Sequence, residues 1–327
     1  MVATLMKLYG VALFVLFDAT GAAAQQRPTI SFESQQKGKA VQVTAEIYWP
    51  AEAGPVPALV IHHGSGGVTD AREGRYAREM VAMGVAGVVI DSFRPRGVRS
   101  TIRDQSAVAT ADFNLDALRI LTALSGNSRI DRTRIGITGF SKGGVSSLMA
   151  AHERVIAAAG VPASLRYALH VPFYPACFTH YHRPKTTGAP IYMLIGGADS
   201  YVGVEPCTTY AAALQAAGAR LEVKVYPNAP HGFDSTGAPW FDPMGENVSQ
   251  CVFTEQANGT FTSRQGVTVP AGANGLPARN QAAANSCVTK GVSGGPQRGG
   301  QGAVDGRPQE LRAAALAGRI DWVGIPR

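Results

Sequence analysis

Short apolar runs alternate with helical segments over most of this chain of 327 residues. Seven runs are rich in β-branched and other apolar residues and end at turn residues, as buried strands do; they are VQVTAEIYWP, ALVIHHG, AGVVIDSF, RIGITGF, LHVPFYP, IYMLIGG and LEVKVYP. Helical patterns lie at about 71–83, 105–125, 143–155 and 204–217. This alternation predicts an α/β fold with a mostly parallel sheet, whose ligand sites gather at the carboxyl ends of the strands.

The N-terminal segment has the features of a secretory signal peptide. Lys7 precedes the apolar run LYGVALFVLF, which is too short to span a bilayer, and the small residues of GAAAQQ follow it. We therefore expect a signal peptide at 1–24, cleaved after about Ala24, a single domain at 25–327, and a periplasmic or secreted protein without a stable membrane anchor. An N-terminal anchor that is retained is the alternative.

Export changes how the four cysteines are interpreted, because an oxidising compartment favours disulfides. The cysteines are Cys177, Cys207, Cys251 and Cys287, and their spacing does not fit a zinc site. Three pairings are possible. Adjacent strand ends favour a bond between Cys177 and Cys207, and Cys251 and Cys287 share one segment of the chain, so we expect these two pairs.

That segment, 235–307, differs in composition from the rest of the chain. It is rich in Gly, Asn, Gln and Ser, and the helical pattern PQELRAAALAGRIDWV follows it. We expect an irregular insertion within the domain before a last helix.

The stretch GITGFSKGG places one serine among glycines at the end of a predicted strand. Ser141 stands in the pattern G-x-S-x-G, with Gly139 before it and Gly143 after it. A strand, a tight turn and a helix in this order form the nucleophile elbow of hydrolases, in which the glycines leave room for the turn. Turn residues without chemistry are the alternative reading.

A serine nucleophile needs a base and a group that orients the base. Asp199 follows the strand IYMLIGG, and His231 follows LEVKVYP, so the sequence predicts Ser141, Asp199 and His231 as catalytic residues. The glycine-rich VIHHGSGG follows another strand. We expect the backbone N–H groups of Ser65 and Lys142 to form the oxyanion hole, and the Lys142 side chain to face solvent or a neighbour without a role of its own.

The motifs IHHGSGG, DSFRPRG, GFSKGG, GGADSYV and PHGF resemble the dienelactone hydrolase family of α/β-hydrolases. The resemblance covers roughly 44–232 and implies an α/β-hydrolase fold, the same three catalytic residues and the same two oxyanion amides. The namesake enzymes of that family use a cysteine nucleophile and carry a glutamate beside the oxyanion residue. Here these positions are Ser141 and Gly64, so the chain looks more like an exported serine-esterase branch.

Charge and composition limit the partners. The hydrophobic content of 45% allows a sizeable core. The formal net charge is +7, but the basic residues are scattered, so the sequence does not favour nucleic-acid binding.

Arg94 and Arg96 follow the strand AGVVI. We expect them at the substrate site, where a guanidinium can bind a carboxylate. A structural ion pair of Arg96 with Asp91, or a bond to a loop carbonyl, is the alternative.

Three functions remain open from the residues. We favour a serine hydrolase that cleaves a carboxylic ester of a small molecule. The predicted substrates include esters that carry a negative charge. A serine peptidase with the same residues and a binding module without turnover are the alternatives. We expect no cofactor and no metal, since the pair His180 and His182 in HYH is typical of a surface loop when no carboxylate motif accompanies it.

Overall fold

The computed structural model describes residues 27–270, 282 and 285–297. Its main feature is an eight-stranded sheet with the strand order β1-β2-β4-β3-β5-β6-β8-β9. The strands of this sheet are β1 Thr29–Gln36, β2 Lys39–Tyr48, β3 Val56–His62, β4 Ala86–Asp91, β5 Ile130–Phe140, β6 Leu169–Phe173, β8 Ile191–Gly196 and β9 Leu221–Tyr226. From β4 to β9 all neighbours are parallel, as the sequence predicts, and β2 pairs with β4 in the antiparallel sense.

The first strand is one that the sequence analysis does not predict. It forms an antiparallel hairpin with β2, and Lys37 and Gly38 at the turn have positive φ angles of 50° and 80°. Two successive positive φ angles match the twist of a two-residue hairpin. The dipeptide Lys-Gly between two alternating segments is therefore a local signal for this turn.

Five α-helices flank the sheet in the described residues. They are α1 Arg75–Val81, α2 Thr110–Ser125, α3 Lys142–Met149, α4 Glu153–Ala158 and α5 Glu205–Ala216. A π-helical turn, Asp70–Gly74, leads into α1. Two helices differ from the expected ranges: α2 begins five residues later than 105, and the range 143–155 is divided between α3 and α4 at His152, which is extended (φ −87°, ψ 125°).

The core lies on both faces of the sheet. On β3, Ala58 and Val60 pack in the cluster that contains α2, whereas Leu59 and Ile61 pack in the cluster that contains α1. Successive side chains of a strand point to opposite faces, so a strand covered on both faces has only apolar residues. This arrangement leaves the carboxyl ends of the parallel strands open at one edge.

The segment expected to be irregular contains short strands within its described part. They are β10 Trp240–Asn247, β11 Phe253–Glu255, β12 Phe261–Ser263, β13 Thr268–Val269 and β14 Thr289–Gly294. β10 pairs with β14, while β13, β12 and β11 form a sheet that ends on β7, Thr179–His180. We call the described residues of 240–295 the cover segment below.

Two disulfides are present, and they join the expected pairs. Cys177 is bonded to Cys207, and Cys251 is bonded to Cys287. The expected signal peptide and the expected last helix lie outside the described residues. No helix within the described residues is both long enough and apolar enough to cross a membrane.

Candidate active site

Ser141 lies in a strained turn directly after β5. Its φ and ψ angles are 55° and −111°, a conformation that residues with a side chain rarely adopt, and helix α3 begins at the next residue. The glycines around it are required by space, because a Cβ at Gly139 would clash with the backbone of Gly143, and one at Gly143 with the carbonyl of His62. This is the geometry of a nucleophile elbow.

Asp199 and His231 are hydrogen-bonded at the ends of two neighbouring strands. Asp199 Oδ2 lies 2.7 Å from His231 Nδ1, and both side chains are buried. The other carboxylate oxygen, Oδ1, accepts the backbone N–H groups of Tyr201 and Val202 at 2.9 and 3.1 Å. The carboxylate is therefore fixed in orientation, and the imidazole directs Nε2 away from it. Ser141 Oγ and His231 Nε2 are not hydrogen-bonded, and such bonds are often long in the absence of substrate.

The loop that carries His231 is held by aromatic residues and by a second carboxylate. Tyr174 and Tyr201 each place a ring 4.7 Å from the imidazole of His231. Three residues later, Asp234 accepts the hydroxyl groups of Tyr76 at 3.1 Å and Tyr174 at 2.5 Å. The two tyrosine rings contact the imidazole itself, and the bonds to Asp234 hold the chain that follows it, so both fix the position of His231.

The amides of Ser65 and Lys142 are available as an oxyanion hole. Within the described residues neither backbone N–H donates a hydrogen bond to a protein acceptor. The Lys142 amide also lies at the N-terminal, positive end of α3. Beside Ser65, a Cβ at Gly64 would come 3.4 Å from the Cβ of Ser141, so the loop passes close to the serine.

His63 is hydrogen-bonded to the loop that carries Ser65. Its Nε2 accepts the backbone N–H of Ser92 at 3.2 Å, so Nδ1 carries the proton and donates it to the carbonyl of Gly64 at 2.7 Å. Burial lowers the pKa of His63, which favours the neutral ring that this pair of bonds requires. His62 is also buried, and its ring stacks on Phe113 at 3.8 Å. Both rings are buried and contact other groups of the protein, which indicates a packing role for each.

The side chain of Lys142 is buried rather than exposed to solvent. Its Nζ donates to the carbonyl oxygens of Val108 at 2.8 Å and Gln105 at 3.0 Å, and to Gln105 Oε1 at 3.3 Å. Burial lowers its pKa to about 7, although Asp104 and Glu246 act in the opposite direction. The segment that contains these carbonyls forms turns and bends, and α2 begins only at Thr110.

Gln105 connects this lysine to the oxyanion loop, and the sequence analysis did not identify it. Its Nε2 donates to Ser65 Oγ at 3.1 Å and to the hydroxyl of Tyr201 at 3.3 Å. Its backbone N–H donates to Glu246 Oε2 at 2.7 Å. These contacts join three segments that are distant in the sequence, so no local pattern could have revealed them.

A cleft of about 200 Å³ opens beside Ser141. One wall consists of the segment 104–110, which leads into α2, and of Lys142 and Val145 of α3. The cover segment forms the other wall and contributes Glu246, Val248, Cys251, Phe253 and Val288. The cover segment also reaches the loop that carries His231, because Gly295 donates its N–H to the carbonyl of His231 at 2.8 Å. The segment that the sequence predicts as an irregular insertion therefore forms part of the cleft beside Ser141.

Neither arginine expected at the substrate site lines this cleft. The guanidinium of Arg96 is buried and donates to both oxygens of Asp116 at 2.7 and 2.8 Å, and to the carbonyls of Ser92 and Gln35. All its outer nitrogens are occupied, so the expectation of a substrate contact is wrong for Arg96. Arg94 is exposed and pairs with Asp91 at 2.9 Å. Arg96 does form a structural ion pair, but its partner is Asp116 and not the expected Asp91, and it also donates to the carbonyl of Ser92.

His180 and His182 do not come together as metal ligands. His180 lies in β7 and stacks on Tyr210 at 4.7 Å, so it is buried rather than in a surface loop. Among the residues that the structure describes, no group of three His, Cys, Asp or Glu side chains is arranged to hold a metal ion.

Residues 43–257, more than half of the chain, match the dienelactone hydrolase family. The chain belongs to the dienelactone hydrolase family. The match includes Ser141, Asp199 and His231 and confirms the resemblance carried by the sequence motifs. This member of the dienelactone hydrolase family is a hydrolase that acts on ester bonds.

Two relatives are described as candidate carboxymethylenebutenolidases. The one from Methylorubrum extorquens is 28% identical over 203 residues, which is 58% of this chain and 67% of the relative. The one from Salmonella typhimurium is 33% identical over 115 residues, or 34% of this chain and 41% of the relative. A solved structure of a thermophilic esterase from Thermogutta terrifontis is 19% identical, has a TM-score of 0.50 and covers 64% of this chain and 86% of its own, which supports the α/β-hydrolase fold.

Proposed function

We propose that this member of the dienelactone hydrolase family is an exported serine esterase that cleaves carboxylic esters of small molecules through an acyl-enzyme. The hydrogen bond between Asp199 and His231, at the same sheet edge as the strained turn of Ser141, carries the proposal. A serine in such a turn, a histidine and a buried carboxylate that orients it are the parts that acyl transfer needs.

In the first half of the reaction, Ser141 Oγ attacks the ester carbonyl and forms the new C–O bond. His231 Nε2 takes the hydroxyl proton, while Asp199 holds the Nδ1–H and stabilises the imidazolium. The carbonyl oxygen becomes negative and accepts the N–H groups of Ser65 and Lys142. When the tetrahedral intermediate collapses, the bond to the leaving alcohol breaks and His231 gives this alcohol its proton.

In the second half, water replaces the alcohol. His231 Nε2 takes a proton from this water, whose oxygen attacks the acyl carbonyl of the acyl-enzyme. Collapse breaks the bond to Ser141 Oγ, which recovers its proton from His231, and the carboxylic acid leaves. The oxyanion amides act in both halves because each half passes through a tetrahedral intermediate with a negative oxygen at the same position.

The cleft supports a small or medium ester group. Its volume is about 200 Å³, and apolar side chains, including Val145, Ala176 and Phe178, line it. The charged residues Asp104, Lys142 and Glu246 also line it, so the cleft carries charges of both signs. Export is supported by the two disulfides, since such bonds persist in oxidising compartments.

A fluorophosphonate probe tests the nucleophile. The wild type should be labelled covalently, and Ser141→Ala should lose the label and lower kcat by at least about a thousandfold. Ser106→Ala, a change in another serine that lines the cleft, serves as the matched control. An unlabelled wild type would favour a binding module, whereas faster cleavage of peptide anilides than of 4-nitrophenyl esters would favour a peptidase.

A further inference from the structure

A second cavity, of about 470 Å³, adjoins the catalytic cleft along α2. The two cavities share four lining residues, namely Thr110, Val145, Ala176 and Phe178. None of these side chains is charged, so an apolar group can lie along them without displacing water from an ion. An arm of an ester that leaves the cleft past these residues enters the second cavity.

The walls of the second cavity are largely apolar. Leu115 and Leu118 of α2 lie on one side, and Met149, Val155 and Ala158 of α3 and α4 lie on the other. Methylene groups that lie against such walls are removed from water, which stabilises binding by about 25 cal/mol per Å² of apolar surface. The cavity therefore fits an aliphatic or other apolar arm.

Arg119 also lines this cavity, beyond the apolar walls. It follows Thr110 by nine residues on α2, which places it about 13 Å along the helix from the shared boundary. Its Nε is buried without an acceptor, and Arg119 has no ion pair or hydrogen bond within the part of the chain that the structure describes. The terminal nitrogens of Arg119 are not among the buried atoms without a partner, so they are the ones that a ligand in the cavity can reach, and a guanidinium without a carboxylate partner attracts an anion.

The carboxylates near Arg119 are engaged elsewhere. Asp116 of α2 is bonded to Arg96, and Asp112 accepts the backbone N–H of Lys37 at 2.8 Å. The other arginine of the cavity, Arg154, is paired with Glu255 at 2.6 Å. Among the described residues that line this cavity, Arg119 is therefore the cation without a carboxylate partner.

We infer that the second cavity is a distal substrate subsite, in which Arg119 binds an anionic group at the far end of a long apolar arm of the ester. A guanidinium can hold a carboxylate by two parallel hydrogen bonds, and the two terminal nitrogens of Arg119 can donate them. The distance from the cleft requires an arm much longer than the ester group itself. This inference rests on the proposed function, since the arm must be attached to an ester at Ser141.

A pair of substrates that differ only at the far end tests the subsite. One is the mono-4-nitrophenyl ester of a dicarboxylic acid with roughly ten methylene groups, which matches the length of nine helical residues; the other has a carboxamide in place of the free acid. The measured quantity is the ratio of their kcat/KM values in the wild type, Arg119→Met, Arg119→Lys and Arg132→Met. Arg132 is an exposed arginine at the amino end of β5 and controls for the loss of one positive charge.

We expect the acid to be preferred by about tenfold or more in the wild type, because a charge-assisted hydrogen bond contributes about 1.5–3 kcal/mol. The preference should disappear in Arg119→Met, persist in part in Arg119→Lys and remain in Arg132→Met. Equal values for the two substrates in the wild type, or an unchanged preference in Arg119→Met, would overturn the subsite.

Two further measurements separate this inference from the proposed function. Hydrolysis of 4-nitrophenyl acetate that depends on Ser141 supports the esterase itself, whatever the preference at the far end. Binding of the free dicarboxylate to Ser141→Ala, measured by calorimetry against the same variant with Arg119→Met, tests the subsite without turnover. Tighter binding when Arg119 is present supports the subsite, and equal or absent binding contradicts it.

Discussion

Gly295 donates its backbone N–H to the carbonyl oxygen of His231 across 2.8 Å. The residue before it, Gly294, ends β14 and is also in contact with this carbonyl, which leaves no room for a Cβ. The loop of the expected catalytic histidine is therefore packed against the cover segment, which the sequence predicts only as an irregular insertion. Anything that loosens the cover segment should act on the active site.

Removal of the disulfide in the cover segment should reduce both stability and activity. The change Cys251→Ser with Cys287→Ser should lower the free energy of unfolding by about 2–4 kcal/mol, since the bond restricts the unfolded chain. It should also raise KM for a 4-nitrophenyl ester, because Cys251 lines the cleft. Urea unfolding and steady-state kinetics measure the two effects.

The matched control is the other disulfide, Cys177–Cys207, which closes a loop of similar length, 30 residues against 36. Its removal should cost a similar free energy of unfolding and change KM less. An equal change in KM for both double variants would contradict the role of the cover segment as a wall of the cleft.

Asp199→Asn should lower kcat by about 10⁴-fold. The amide oxygen can still accept the N–H groups of Tyr201 and Val202, so the amide nitrogen faces His231 Nδ1 and forces the wrong tautomer. Steady-state hydrolysis of 4-nitrophenyl acetate measures the loss. Asp131→Asn, at the amino end of β5, is the control for the same chemical change away from the site; kcat close to wild type in Asp199→Asn would exclude Asp199 as the orienting residue.

Lys142→Met should change how stability depends on pH. Burial lowers the pKa of Lys142 from its ordinary value of 10.5 to about 7, so between these values the unfolded chain binds more protons than the folded one. The contribution of Lys142 to stability therefore rises with pH through this window and is constant below it. The free energy of unfolding of the wild type relative to the variant should increase from pH 7 to pH 10.

Lys39→Met, a change in an exposed lysine of β2, is the control for the loss of a lysine charge. Urea unfolding at several pH values measures each difference. If the difference between the wild type and Lys142→Met is the same at pH 7 and pH 10, Lys142 is not desolvated in the folded protein.

Arg96→Met should destabilise the protein without changing its preference among esters. The change leaves Asp116 buried without its cation, which costs about 3–5 kcal/mol. Hydrolysis of neutral and carboxylate-bearing esters should fall by the same factor. A selective loss for the anionic ester would show that Arg96 reaches the substrate. Arg96→Met combined with Asp116→Leu should recover part of the stability, because no charge is then left unpaired.

The sequence by itself determined the parallel sheet and the placement of Ser141, Asp199 and His231 at its edge. The strands are short apolar runs with clear ends, and the carboxyl ends of parallel strands meet at one edge whatever the loops do. The turn at Ser141 is equally local, because Gly139 and Gly143 are needed within two residues of it. These features depend on neighbours in the chain, so a pattern of residues is sufficient to predict them.

Only the tertiary structure decided the roles of Arg96, Lys142, Gln105 and Arg119. Arg96 meets Asp116 twenty residues away, and Gln105 meets Tyr201 ninety-six residues away. An arginine after a strand can face substrate or a buried carboxylate, and a lysine after a nucleophile can face solvent or two carbonyls. Burial and partner choice depend on which distant segments the fold brings together, and this information is carried by the packing of the whole chain rather than by any local spacing.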